Sequence, residues 1–155
     1  MHDVLVAFGA AVLMTALEAL GRLAWSGPYL PELMAQKLFA FIPVWAFTPL
    51  FRAFGYNSKY YAFGAMIALE VAGLTLVGTV VRGRLRGRPL AGWGNARLIV
   101  ATASPITGVV LGGLLPLLGA GFAGQSLTGG AWLTVPTVVV GVGCYASVLT
   151  CGFSR

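Results

Sequence analysis

The sequence predicts an all-α integral membrane protein, a four-helix bundle with an additional amphipathic interfacial helix between its first two spans. Three observations predict it. Hydrophobic residues make up 58 % of the 155 and charged residues 9 %, too little charge to clothe a water-soluble surface. Four apolar stretches, bounded by charge, glycine, proline or aromatic residues, approach the roughly 20 residues a helix needs to cross a hydrocarbon core. Glycine occurs 22 times, which suits helices that associate by close backbone approach rather than by hydrophobic force. A soluble globular enzyme and a disordered tail are excluded on the same grounds.

The spans fall at about 4–25, 60–81, 97–118 and 131–153, within one membrane domain covering 1–155. A cleavable signal peptide competes for the first, but Met1, His2 and Asp3 bring no Lys or Arg ahead of it. Glu18 and Arg22 also stand where its hydrophobic stretch would end, so the segment reads as a retained helix. In the segment 26–58, Pro31 sits where a helix can begin. Leu30, Leu33, Met34, Leu38, Phe41 and Ile42 share one helical face, apart from Glu32, Gln36 and Lys37, which predicts an amphipathic helix lying in the interface. Pro43 and Pro49 then break the backbone within a run too apolar for an aqueous loop.

Basic residues set the orientation. The second connection carries Arg82, Arg84, Arg86, Arg88 and Arg97 and the third carries no charge, so the arginine-rich side is expected to face the cytoplasm with both termini. Lys37, Arg52 and Lys59 lie on the opposite side, so the asymmetry is one of majority. Trp25, Tyr29, Tyr60, Tyr61 and Trp132 mark one set of helix ends and Trp93 the other. Gly64, Ala68 and Ala72, Gly108 and Gly112, and Gly143 with Ser147 form rows of small residues that serve packing within the bundle or a homo-oligomer face. Pro105, Pro116 and Pro136 are expected to kink the last two spans, with hydroxyls such as those of Thr102 and Ser104 covering freed carbonyls.

The candidate intramembrane polar site is Glu18, Arg22 and Glu70. Glu18 and Arg22 are spaced i, i+4 and can pair on one face. Glu70 stands in mid-span with no cation nearby on its own helix, where a charge costs about 2.5 to 3.5 kcal/mol on insertion scales. A contact of Glu70 with Arg22 or with hydroxyls of the third span is expected, and a proton relay or ligand contact is the functional alternative to structural pairing. His2 is the single histidine, which excludes a haem held by two histidines of this chain. Cys144 and Cys151, seven residues apart on one helix, are separated by about 10 Å and form no disulfide. Cys151 could be acylated. No catalytic residue, metal site or cofactor site is therefore expected. Arg82, Arg84, Arg86 and Arg88 on a short loop are expected to contact lipid head groups or an acidic partner, and nucleic acid is not expected.

The stretch from Leu30 to Val81, with "LPELM", "FIPVWAF" and "FGYNSKYYAF", and the later "LLGAGFAG" at 117–124, resembles the N-terminal membrane region of some bacterial molybdopterin-dependent oxidoreductases of the sulfite oxidase type. That likeness covers all four spans loosely and about a third of the chain well. In that family the reaction belongs to a soluble domain with a molybdenum-ligating cysteine, to which nothing here corresponds, so the resemblance implies the anchor alone, free-standing or as a fragment ending at Arg155. The expected function is a non-catalytic membrane anchor or subunit positioning an oxidoreductase at the bacterial cytoplasmic membrane, with lipid and other membrane subunits as partners. Alternatives are an accessory subunit of a respiratory or photosynthetic complex, and a small transporter using Glu18 and Glu70.

Overall fold

The computed structural model describes residues 2–43, 45, 48, 49, 52, 55–86, 94–127 and 129–150. Among these the chain is helical with no strand. Helix α1 spans His2–Trp25, α2 Leu30–Phe41, α3 Ser58–Arg86, α4 Asn95–Leu117 and α5 Gly130–Thr150. Of these, α1, α3, α4 and α5 are long and apolar enough to cross a membrane.

The four long helices lie at the stretches read as spans, with residues 151–153 of the fourth outside the described residues and a difference at the end of the second. There α3 continues past residue 81 to Arg86, so Arg82, Arg84 and Arg86 stand on a helix and not on the loop the sequence suggested. The continuation has a local cause: Arg82 is buried and bonded to two other helices, which holds the last turns of α3 against the bundle. Arg88, Trp93 and Cys151 lie outside the described residues, as does most of the run between Pro43 and Gly55.

Helices α1 and α5 form the centre, α3 packs on the outer side of α1, α4 on α5, and α2 on α3. The reason lies in side-chain size. Ala7, Ala10, Ala11 and Met14 repeat at helical spacing on α1 and are buried, and such small residues let a second helix approach closely. Val138, Val142, Tyr145 and Leu149 present the matching face of α5. The rows of small residues read from the sequence do not mediate this packing. A Cβ at Gly64, Gly108 or Gly143 would meet nothing within 4 Å, whereas one at Gly78 would meet the Tyr145 hydroxyl at 2.8 Å and the Ala7 Cβ at 2.9 Å.

Prolines shape α4 and α5 without ending them. Pro105 lies inside α4, which widens to a π segment at Val110–Leu114, a change of winding that inserts one extra residue per turn and faces Val110 and Leu115 into the core. Around Pro136 of α5, the Thr134 and Thr137 hydroxyls donate to the carbonyls of Gly130 and Leu133. At the end of α4, Gly119 adopts φ +84°. The Ala120 N–H then bonds Leu115 O and the Gly119 N–H bonds Pro116 O, closing the helix by a Schellman turn that requires a left-handed residue.

Candidate functional site

Three of the four Asp and Glu residues in the chain meet basic or backbone donors where the helices join, and the fourth, Glu70, has none. Glu18 lies on the buried face of α1, 3 % exposed. Its Oε2 accepts the N–H of Leu30, the first residue of α2, at 3.4 Å. The first turn of any helix has N–H groups without intrahelical acceptors, and Tyr29 at the N-cap position supplies no side-chain bond. The carboxylate of Glu18 takes that place from a different helix, with the favourable sign for a helix N-terminus.

Arg22 does not pair with Glu18. Its Nε and Nη2 donate to Glu32 Oε2 and Oε1 at 2.7 and 3.0 Å, a bidentate pair at the rim of the bundle. The i, i+4 spacing allowed Glu18, and burial decides against it: Glu18 turns inward, while α2 brings Glu32 to the half-exposed position of Arg22. Gln36 also reaches Glu32 Oε1, at 3.4 Å. Beside this pair, Arg22, Tyr29, Glu32, Gln36 and Ser126 line a cavity of about 190 Å³ between the α1–α2 corner and the third connection.

Glu70 of α3, 7 % exposed, faces Glu18 within hydrogen-bonding reach. The sequence led to Arg22 or third-span hydroxyls as its neighbours; the structure sets a second carboxyl there. Neither oxygen of Glu70 has a hydrogen-bond donor. Tyr29, read from the sequence as a belt aromatic, packs its ring on Phe63 at 5.8 Å between centroids. Burial, then the charges of Glu70 and Glu18, push its hydroxyl above the usual tyrosine value. Thr15, one turn before Glu18 on the same buried face, also carries a hydroxyl without a partner.

A second polar group closes the opposite end. Arg82 Nε donates to Asp3 Oδ1 at 3.0 Å and its Nη1 to Leu149 O at 2.5 Å, joining the start of α1 and the end of α5 to α3. Arg82 is therefore buried, while Arg84 and Arg97 are exposed. The Tyr145 hydroxyl donates to Leu74 O, and Trp25 Nε1 donates to Thr137 Oγ1 at 2.9 Å. Asp3, Glu32, Thr15 and Tyr145 were not singled out from the sequence. Only Asp3 left a signal, as an acid in the first turn of an otherwise apolar helix. Among the described residues no group of His, Cys, Asp and Glu could hold a metal ion. No protein family, curated protein or solved structure matches the chain.

Proposed function

We propose that the chain is a multi-pass membrane subunit or anchor that holds an oxidoreductase at the membrane. The observation that carries this reading is the outward face of α3. Gly64, Ala68 and Ala72 form an exposed row at i, i+4 and i+8, and Gly64 has nothing within 4 Å of a built Cβ. The row adjoins an apolar furrow of about 530 Å³ between α1 and α3, lined by Val4, Phe8, Ala68, Ala72 and Thr75. In lipid, small residues on an open face favour the approach of another helix. Meanwhile the side chains of Arg82, Trp25 and Tyr145 tie the chain's own helices to one another. The likeness of residues 30–81 to the membrane region of sulfite oxidase-type enzymes supplies the class of partner.

The exposed Arg84 and Arg97 support an orientation with that end, and both termini, on the cytoplasmic side of a bacterial inner membrane. Helix α2 then lies at the outer surface as an interfacial element. The test is purification of the native protein in mild detergent, with metal analysis of what accompanies it. A molybdenum enzyme that copurifies with wild type and is lost from Ala68→Leu/Ala72→Leu supports the reading. Recovery of the chain alone, or with a pigment or cytochrome complex, overturns it.

A further inference from the structure

Most polar groups inside the bundle have their partners in place. The hydroxyls of Thr75, Thr134, Thr137 and Thr150 donate to carbonyls of their own helices. Thr15 and Glu70 differ: each is only 7 % exposed, and Thr15 Oγ1 and both Glu70 carboxyl oxygens are unpartnered. The antiparallel register of α1 and α3 brings them to one level. Asp3 meets Arg82, a Cβ at Gly78 would meet Ala7, and Glu18 meets Glu70, so Thr15, one turn before Glu18 on the same face, stands at the height of Glu70.

Two carboxylates in contact away from water repel strongly, and both present only acceptors. Leu30 N–H gives Glu18 one donor, and a hydrogen bond between the two carboxyls needs a proton on one of them. Every element around the pair bears on this. On α1 the nearest cation, Arg22, is bonded to Glu32 through two nitrogens. The turn before α2 brings Tyr29, close enough for both glutamates to act on it. On α5, Tyr145 is bonded one turn further along α3, at Leu74, and α4 carries no titratable residue between Arg97 and Leu117.

We propose that Glu18 and Glu70 form a proton-binding site, one proton held between the two carboxyls and exchanging with water through the Tyr29-lined cavity at the α1–α2 corner. The proton belongs to the pair and not to either residue. Thr15 and Tyr29 hydroxyls are the donors at hand for the remaining oxygens. The site stands independently of the anchor reading, since it needs no partner protein.

The experiment uses the full chain in lipid nanodiscs. Infrared spectra across pH follow the C=O band of a protonated carboxyl, and dicyclohexylcarbodiimide, which modifies protonated carboxyls in apolar surroundings, is located by mass spectrometry. The expected result is a protonated-carboxyl band at neutral pH that disappears reversibly in alkali, with modification at Glu18 or Glu70. Both signals are expected to be lost in Glu70→Gln and retained in Glu70→Asp, and to be insensitive to sodium. Absence of the band in folded wild type overturns the proposal, and so does a band that never titrates or that survives in Glu70→Gln. Protection from modification by sodium also overturns it, by showing a metal-cation site instead. Should Glu70→Gln fail to fold, the wild-type titration and the sodium arm decide alone.

Discussion

Removing Asp3 should destabilise the protein more than removing the guanidinium it binds, although Asp3 is the more exposed of the two. The side chain of Arg82 is 4 % exposed and that of Asp3 23 %. Arg82→Met leaves behind a carboxylate close to water and an end-of-helix carbonyl at Leu149, and it fills the vacated space with an apolar chain of similar length. Replacing a buried charge in this way is often close to neutral, and the lost bonds set a cost of about 1 to 2 kcal/mol. Asp3→Ala instead takes its carboxylate away from a buried guanidinium whose desolvation cost remains. Breaking a buried pair from one side costs about 3 to 5 kcal/mol, reduced here to about 2 to 4 because the Asp3 end is partly hydrated. The double variant should recover most of that loss, because the buried charge is gone with its desolvation cost. Unfolding in mixed micelles titrated with sodium dodecyl sulfate, read by circular dichroism, measures all three. Additive losses in the double variant, or a larger loss for Arg82→Met than for Asp3→Ala, would show that the buried Arg82 charge does not set the cost.

Gly78→Ala should cost about 1 to 3 kcal/mol in the same unfolding assay, because its Cβ would crowd Tyr145 at 2.8 Å and Ala7 at 2.9 Å. Gly64→Ala, with open space around it, should cost nothing measurable; equal losses at the two positions would contradict the packing described. Tyr145→Phe should cost about 1 kcal/mol through the lost bond to Leu74 O, checked by the shift in its unfolding midpoint. Tyr29 holds its proton more tightly when folded, so the folded state binds more protons in alkali and stability must fall as pH rises from about 10 through the raised folded value. Tyr29→Phe should remove that part of the alkaline loss, and an unchanged stability profile would sink the assignment.

The parts of this molecule legible in its sequence are those fixed by local pattern. Long apolar runs marked α1, α3, α4 and α5, and Pro31 at the first turn marked the start of α2. What the sequence hid depends on contacts between distant residues. Arg22 has an acid four residues before it and another ten residues after it, and only the turn at residues 26–29 decides for Glu32. Arg82 looks like a loop arginine until Asp3, 79 residues earlier, is placed beside it. The same holds for Gly78: nothing in its neighbourhood distinguishes it from Gly64, because the helix that approaches it belongs to a different part of the chain. Glu70 could be recognised as an anomaly from its position in an apolar run, but its neighbour Glu18 could not, because the α1–α3 register is set by side chains from Asp3 to Glu18 acting together.

Whether four helices cross the lipid is decided by single-cysteine accessibility. In a Cys144→Ala/Cys151→Ala background, Ser26→Cys, Ser126→Cys, Arg84→Cys and Asn95→Cys are each exposed to a membrane-impermeant maleimide from one side of sealed vesicles. With four crossings, Ser26→Cys and Ser126→Cys react from one side, Arg84→Cys and Asn95→Cys react only from the other, and Leu69→Cys reacts from neither. Reaction of both sets from the same side, or ready aqueous labelling at Leu69→Cys, would contradict four crossings.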